Sequence, residues 1–195
     1  MSDPHSILAF DTGPLRHFAI QGWLGVLKFV TRDKTVVIPE SVERELPEHR
    51  HEYPSLAQVF DADWIHVDRS LEIAYLTAFA RFEGRLVSGT KNLGECGVLA
   101  LGVTRDCTLV IDDATPRQVA AEENLETTTT LALLCSAIRE GKLTVPMVEQ
   151  VADDLLEGDY YLPFAFGGFQ RWALELGLID YPSARIHELH DRSEH

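Results

Sequence analysis

Basic residues are scarce in this chain. Seventeen Lys and Arg stand against thirty-one Asp and Glu in 195 residues, a formal net charge of -14. A surface of that sign repels phosphate and argues against indiscriminate binding to nucleic acid. Long apolar runs are missing too. None approaches the roughly 20 residues that a membrane helix needs, and residues 1 to 5 lack the basic segment of a secretory signal. The expectation is a cytoplasmic protein with no membrane association. Only three cysteines occur, Cys96, Cys107 and Cys135, in apolar stretches and without CxxC spacing. That excludes a disulfide framework and a zinc site and leaves buried thiols. Neither a G-x-S-x-G turn nor a glycine-rich phosphate loop is present, so nucleophilic-serine and Walker-type chemistry fall away.

What remains is ordinary globular composition, 45% hydrophobic and 25% charged, in a chain long enough for one substantial core. The run Ile7-Leu8-Ala9-Phe10 ends in Asp11-Thr12-Gly13-Pro14 and reads as strand, tight turn and helix. Val36-Val37-Ile38 stops at Pro39 and continues into a short acidic helix carrying Glu43 and Glu45. Trp64-Ile65-His66-Val67 alternates like a strand. Residues 70 to 83 have helical spacing, and 84 to 92 read as a loop. Residues 93 to 103 read as a buried helix opened by Asn92, and Thr108-Leu109-Val110-Ile111 as a strand ending in Asp112-Asp113. A helix to about residue 123, a strand over 125 to 130 and helices over 131 to 140 and 145 to 156 complete the pattern. Alternating strands and helices predict a parallel sheet covered on both faces.

In such a sheet, functional groups gather beyond the carboxyl ends of the strands, where strand order reverses. Asp11 and the Asp112-Asp113 pair stand at such ends. If their strands are neighbours, about 5 Å apart, the carboxylates come within metal-sharing distance. Each acid also has a plainer reading. Asp11 or Asp113 could cap the helix that follows. Glu95, three residues after Asn92, could close a capping box. Glu43 and Glu45, two apart, cannot share a helix face, so one of them is surface. The argument rests on the set, because four separate elements each place an acid at a strand end or early in a helix. Clustered carboxylates suit hard divalent ions, which assist in-line displacement at a phosphodiester. Without the ion they repel, and at least one pKa rises.

Four segments resemble the PIN-domain family, especially its branch of VapC-like toxins: Phe10-Asp11-Thr12-Gly13-Pro14-Leu15, residues 38 to 46, Leu93-Gly94-Glu95, and Ile111-Asp112-Asp113 with Arg117 and Ala120. Thr128, Thr130 and the helix ending near Gly141 extend the resemblance, which covers about residues 6 to 157. It implies a three-layer α/β/α sandwich with a mostly parallel central sheet over residues 1 to 157, and a C-terminal aromatic-rich extension, 158 to 195, packed on or beside it. It implies a Mg²⁺- or Mn²⁺-dependent endoribonuclease acting on RNA, often a toxin paired with an antitoxin protein, and a homodimer is a further expectation. The alternative is a non-catalytic binding or regulatory module on the same fold.

Carried over by position, Asp11, Glu45, Glu95 and Asp112 form the catalytic quartet. Asp11, Glu95, Asp112 and Asp113 are the metal ligands. Thr12, Arg117 and Thr128 are expected to meet substrate, with Arg117 alternatively in a surface salt bridge of little worth. Arg81, Arg85 and Lys91 form a basic stretch before Glu95 that is expected to contact phosphates. Pro116, where relatives have a small helix former, is tolerated in a first turn. The extension holds Tyr160, Tyr161, Phe164, Phe166, Phe169 and Trp172, read as core packing or as stacking platforms for single-stranded RNA. His49, His51 and the segment His187-Glu188-Leu189-His190 carry little weight.

Overall fold

The computed structural model describes residues 7–46, 53–86 and 92–180. Its centre is a five-stranded sheet in the order β3-β2-β1-β4-β5, every neighbouring pair parallel. The strands are β1 (Ile7–Phe10), β2 (Thr35–Pro39), β3 (Ile65–Asp68), β4 (Thr108–Val110) and β5 (Thr127–Thr128). Leu8, Ala9 and Phe10 of β1, like all of β4, are buried. The unbroken apolar runs of β1 and β4 suit an interior strand covered on both faces, whereas a half-exposed strand would alternate.

The chain winds from β1 outward to β3, returns to the other side of β1 at β4, and continues to β5. Crossovers between parallel strands are right-handed, so reversing direction moves the connecting helices to the opposite face. One face receives α1 (Thr12–Ile20), α2 (Leu24–Val30), a 3-10 turn at Pro54–Leu56 and α4 (Ala57–Phe60), while α3 (Glu40–Glu45), directly after β2, packs against helices of both faces. The other receives α5 (Ile73–Leu86), α6 (Leu93–Thr104) and α7 (Ala114–Glu122). The result is a three-layer α/β/α sandwich. α6 lies against β1, β2 and β4 and is buried almost all round through Cys96, Val98, Leu99, Ala100 and Leu101, as its lack of polar residues requires. α8 (Thr130–Arg139) packs on α2, and α9 (Val145–Glu157) is tied to the α1–α2 turn by Trp23 Nε1, which donates to Asp154 Oδ2 at 2.8 Å.

α10 (Phe169–Glu175) follows α9, and Phe164, Phe169 and Trp172 pack ring on ring with centroids 5.2 to 6.3 Å apart. Phe169 joins Phe10, Phe18 and Phe82 among the fully buried side chains, each contributing about 1.5–3 kcal/mol over an exposed position. These three aromatics of the C-terminal segment are therefore packing, whereas Tyr161 and Phe166 are exposed. The three cysteines are buried free thiols, and burial pushes Cys96 up to about 12 and Cys107 and Cys135 to about 11. No helix among the described residues is long and apolar enough to cross a membrane.

Three expectations need correction. The segment 84 to 92 is not wholly a loop, because α5 runs on to Leu86 and carries Arg81 and Arg85 on the helix. β5 is two residues long, since Thr129 caps α8 by accepting from the Ala132 amide at 3.1 Å and Thr130 is already helical. α2 and α4 have no counterpart in the sequence reading, being too short to show a period of 3.6. Pro116 sits buried in the first turn of an unbroken α7. Lys91, His49, His51, His187 and His190 lie outside the described residues.

Candidate active site

Strand order reverses between β1 and β4, and that is where the acids meet. Phe10 pairs with Val110, and the Asp11 amide continues the ladder by donating to Val110 O at 3.2 Å. Asp11 thus leaves β1 beside the end of β4, from which Asp112 and Asp113 follow. All three line one open cavity of about 620 Å³, together with Thr12, Gly13, Arg16, His17, Glu45, Asn92, Glu95 and Tyr160. A smaller adjoining cleft of about 230 Å³ shares Asn92, Glu95 and Asp113, so the groove runs on past the acids toward the start of α7.

Asp11 is the deepest of them, 4% exposed. It precedes α1 but makes no side-chain capping hydrogen bond, and its Oδ1 is buried with no partner among the described residues. Burial drives its pKa well above the ordinary value; Glu95, Glu45 and Asp113 add to the rise, and the Thr12 amide opposes it. Asp113 likewise precedes α7 without capping it. Glu95, in the first turn of α6, is raised chiefly by burial and then by Glu45 and Asp113, with its own amide opposing. Among the described residues the side chain of Asn92 donates to Leu86 O at 2.9 Å, and Asn92 adopts a left-handed backbone (φ 69°) without capping α6. The plainer capping readings of Asp11, Asp113 and Asn92 therefore find no support in the hydrogen bonds.

Glu45 and Asp112 are clamped instead. Thr12 Oγ1 donates to Glu45 Oε2 at 2.6 Å and the Gly94 amide to Glu45 Oε1 at 2.8 Å. This clamp requires glycine at 94, because a Cβ there would lie 2.5 Å from Glu45 Oε2 and 2.7 Å from Thr12 Oγ1. Glu43, two residues away on α3, turns to Arg69 at the surface. Asp112 accepts from the Thr130 amide at 2.8 Å, from Thr130 Oγ1 at 2.6 Å and from the Tyr160 hydroxyl.

The remaining expected residues divide. Thr12 lines the cavity. Thr128 does not: it lines a separate cleft with Leu8, Thr108 and Lys142, and Thr130 holds the edge of the acidic site. Arg117, on α7, is absent from the described lining of both acidic cavities. Arg81 pairs with Glu123 at 2.9 Å, and Arg85 pairs with Glu122 and Glu123, so the basic stretch is tied to the end of α7. The cation that does line the cavity is Arg16, placed over the Tyr53 ring at 5.8 Å, with Nε buried and no partner for it among the described residues. Sequence reasoning missed Arg16 and His17, five and six residues beyond Asp11; the available signal was that they stand four residues after Thr12 and Gly13, on the same face of α1. It treated Tyr160 only as one of an aromatic group.

His17 stacks on Tyr160 with ring centroids 4.6 Å apart. Burial, and then the nearby Arg16 charge, lower its pKa from 6.5 to about 4, so the ring is neutral at pH 7. The Tyr160 phenol is held well above its ordinary value by burial and by Asp112, and it stays protonated.

A family model described as a PIN domain matches residues 7–166. The chain belongs to the PIN-domain family. Comparison with curated proteins gives no match. Among solved structures this PIN-domain chain is similar to VapBC2 from Rickettsia felis bound to a DNA fragment from their promoter, at 14% identity and a TM-score of 0.44, covering 63% of this chain and 98% of that one. The family match reaches beyond α9 and includes Tyr160, so the clamp on Asp112 lies wholly within the matched residues.

Whether the acids suit a divalent ion is decided by their chemistry. The donors are all carboxylate oxygens, the set that Mg²⁺ and Mn²⁺ prefer. Asp11 Oδ1 is a buried oxygen without a partner among the described residues, and the carboxylate faces repulsion from three further acids. Such a group is stabilised by a bound cation or by a proton. No three of the described acidic side chains stand close enough to enclose an ion in this arrangement. In donor type and electrostatics the site fits.

Proposed function

We propose that the chain is a metal-dependent endoribonuclease that hydrolyses RNA phosphodiester bonds at the acidic cavity. The observation that carries this reading is the buried Asp11 carboxylate at the sheet's reversal point, whose Oδ1 has no hydrogen-bond partner among the described residues, set among Glu45, Glu95 and Asp113. Asp11, Glu95, Asp112 and Asp113 would hold Mg²⁺ or Mn²⁺, and the ion would supply charge neutralisation and polarisation for attack on the phosphodiester.

The chain's own groups do the rest. Glu45, fixed by Thr12 and Gly94, presents a carboxylate at the cavity wall that can order an attacking water and accept its proton. Arg16, among the described residues, offers this acidic pocket a permanent positive charge for a non-bridging phosphate oxygen. The cleft past Asn92 and Asp113 extends the cavity beyond the acids toward α7, a path along which a bound strand can continue. The net charge of -14 makes cation-assisted, site-confined binding the expected mode, in place of broad phosphate attraction.

One experiment tests the whole reading. Purified chain with Mn²⁺ should cleave single-stranded RNA, and both EDTA and the Asp11→Asn variant should abolish cleavage. A wild-type chain that binds no Mn²⁺ and leaves RNA intact would favour the second reading, a PIN-fold binding module. The toxin role, with an antitoxin protein as partner, is tested by expressing the chain alone in a bacterial host: wild type should arrest growth and Asp11→Asn should not.

A further inference from the structure

α9 ends in a turn built to aim one side chain. Tyr160 N–H donates to Leu155 O at 3.0 Å and Asp159 N–H to Leu156 O at 3.1 Å, with Asp159 in the left-handed region at φ 59°. This is the Schellman pattern, usually closed by glycine at the left-handed position. Here the glycine comes one residue earlier, at 158, where the Gln21 side chain fills the space a Cβ would need. The turn reverses the chain at the carboxyl end of the sheet. It brings the Tyr160 ring against His17 and the hydroxyl onto Asp112 Oδ2, the same oxygen that takes the Thr130 hydroxyl.

We propose that Tyr160 is a positioning residue of the acidic site, its hydroxyl acting with Thr130 to fix the Asp112 carboxylate at the end of β4. The proposal rests on the nuclease reading above. Asp112 follows a three-residue strand and stands at the mouth of an open cavity, where a carboxylate tied only through its backbone would rotate freely. The donors to Asp112 come from two separate elements, the start of α8 and the turn after α9, so the carboxylate is braced from both. Hydrogen bonds of this kind to a ligating carboxylate typically change metal affinity or activity by about 10- to 100-fold. They therefore assign the tyrosine a part in the site that packing alone does not explain. If Tyr160 served packing alone, removing its hydroxyl would alter stability and leave metal affinity and turnover unchanged.

The test uses the full chain. Tyr160→Phe removes one oxygen and keeps the ring on His17, while Tyr160→Met fills similar space without ring or hydroxyl. Mn²⁺ affinity is measured by titration without RNA, metal-free thermal melting is recorded, and kcat and KM are determined on a single-stranded RNA. Both variants should bind Mn²⁺ about 10- to 100-fold more weakly and lose kcat in proportion, with KM for RNA within about twofold of wild type. Wild-type Mn²⁺ affinity and kcat in either folded variant, while Asp11→Asn has lost both, overturns the role of Tyr160 and leaves the nuclease reading standing. A wild-type chain that neither binds Mn²⁺ nor cleaves overturns both.

Discussion

The backbone amide of Asp11 donates to the carbonyl of Val110 at 3.2 Å, one step beyond the last paired residues of β1 and β4. That bond decides where the Asp11 side chain goes. It keeps Asp11 in the sheet's hydrogen-bonding plane when the chain is already turning into α1, and it seats the acid beside the strand end that carries Asp112.

Asp11→Asn should separate catalysis from folding. The folded-state pKa of Asp11 is raised above its unfolded value, so protonated Asp11 favours the fold. That contribution is complete below the unfolded pKa and is lost as pH rises through the folded one. At neutral pH, above the unfolded pKa, the metal-free wild type has given up stability through this group that asparagine, which does not titrate, keeps. The variant should melt at the same temperature as metal-free wild type or higher, gain less from added Mn²⁺, and show no cleavage. A variant that unfolds without metal would make Asp11 a structural residue.

Much of this was legible in the chain. Ile7-Leu8-Ala9-Phe10 followed by Asp11, and Leu109-Val110-Ile111 after Thr108 and before Asp112, announce buried parallel strands ending in acids, because a half-exposed strand alternates apolar and polar residues. What the sequence hides is pairing across distance. The spacing of Arg81 and Arg85 shows a basic stretch, but nothing local shows that Glu122 and Glu123 lie opposite it. Thr128 and Thr130 lie two apart, and the short β5 followed at once by α8 sends the first to a cleft away from the acids and the second onto Asp112. The approach of Tyr160 to Asp112 spans 48 residues and depends on how α9 packs. Periodicity carries no such information.

Gly94→Ala should act on Glu45. The added methyl would meet Glu45 Oε2 and Thr12 Oγ1 at 2.5 and 2.7 Å, and these are side-chain ends that can swing away while the helix stays in place. The fold should survive with a stability loss of about 1 kcal/mol. Cleavage should fall by about 100-fold, because a displacement of about 1 Å in a reacting group has that effect. Thr12→Val, which removes one donor and leaves the Gly94 amide in place, should show a milder loss. Denaturant melts beside single-turnover cleavage measure both, and unchanged cleavage in Gly94→Ala would place Glu45 outside the reaction.

His17 sets a pH response of the metal-free chain. Its pKa falls from 6.5 to about 4 on folding, so protonation favours the unfolded state. The stability this neutral ring gives is present above pH 6.5 and is lost as pH falls from there toward 4. The raised pKa of Asp11 and Glu95 works in the opposite direction. The difference between wild type and His17→Phe isolates the histidine. Melting temperatures from pH 7.5 to about pH 4 should show wild type losing stability relative to His17→Phe through this window. Parallel curves would mean that the ring is solvated or already charged.

Arg16 and Arg85 should part company in their salt dependence. Arg85 lies on α5 with its guanidinium engaged by Glu122 and Glu123, so a phosphate would have to displace two carboxylates to use it. Arg16 lines the acidic cavity with a buried Nε and an aromatic ring beneath it. Each phosphate contact contributes about 1 to the slope of log affinity against log salt. With a catalytically dead Asp11→Asn background and a short single-stranded RNA, Arg16→Ala should lower that slope by nearly 1 and weaken binding. Arg85→Ala should leave the slope near its starting value and cost less than about 1 kcal/mol of stability, as exposed ion pairs do. The reverse result, with the slope lost at Arg85 and kept at Arg16, would move the phosphate track from the cavity to the α5–α7 edge.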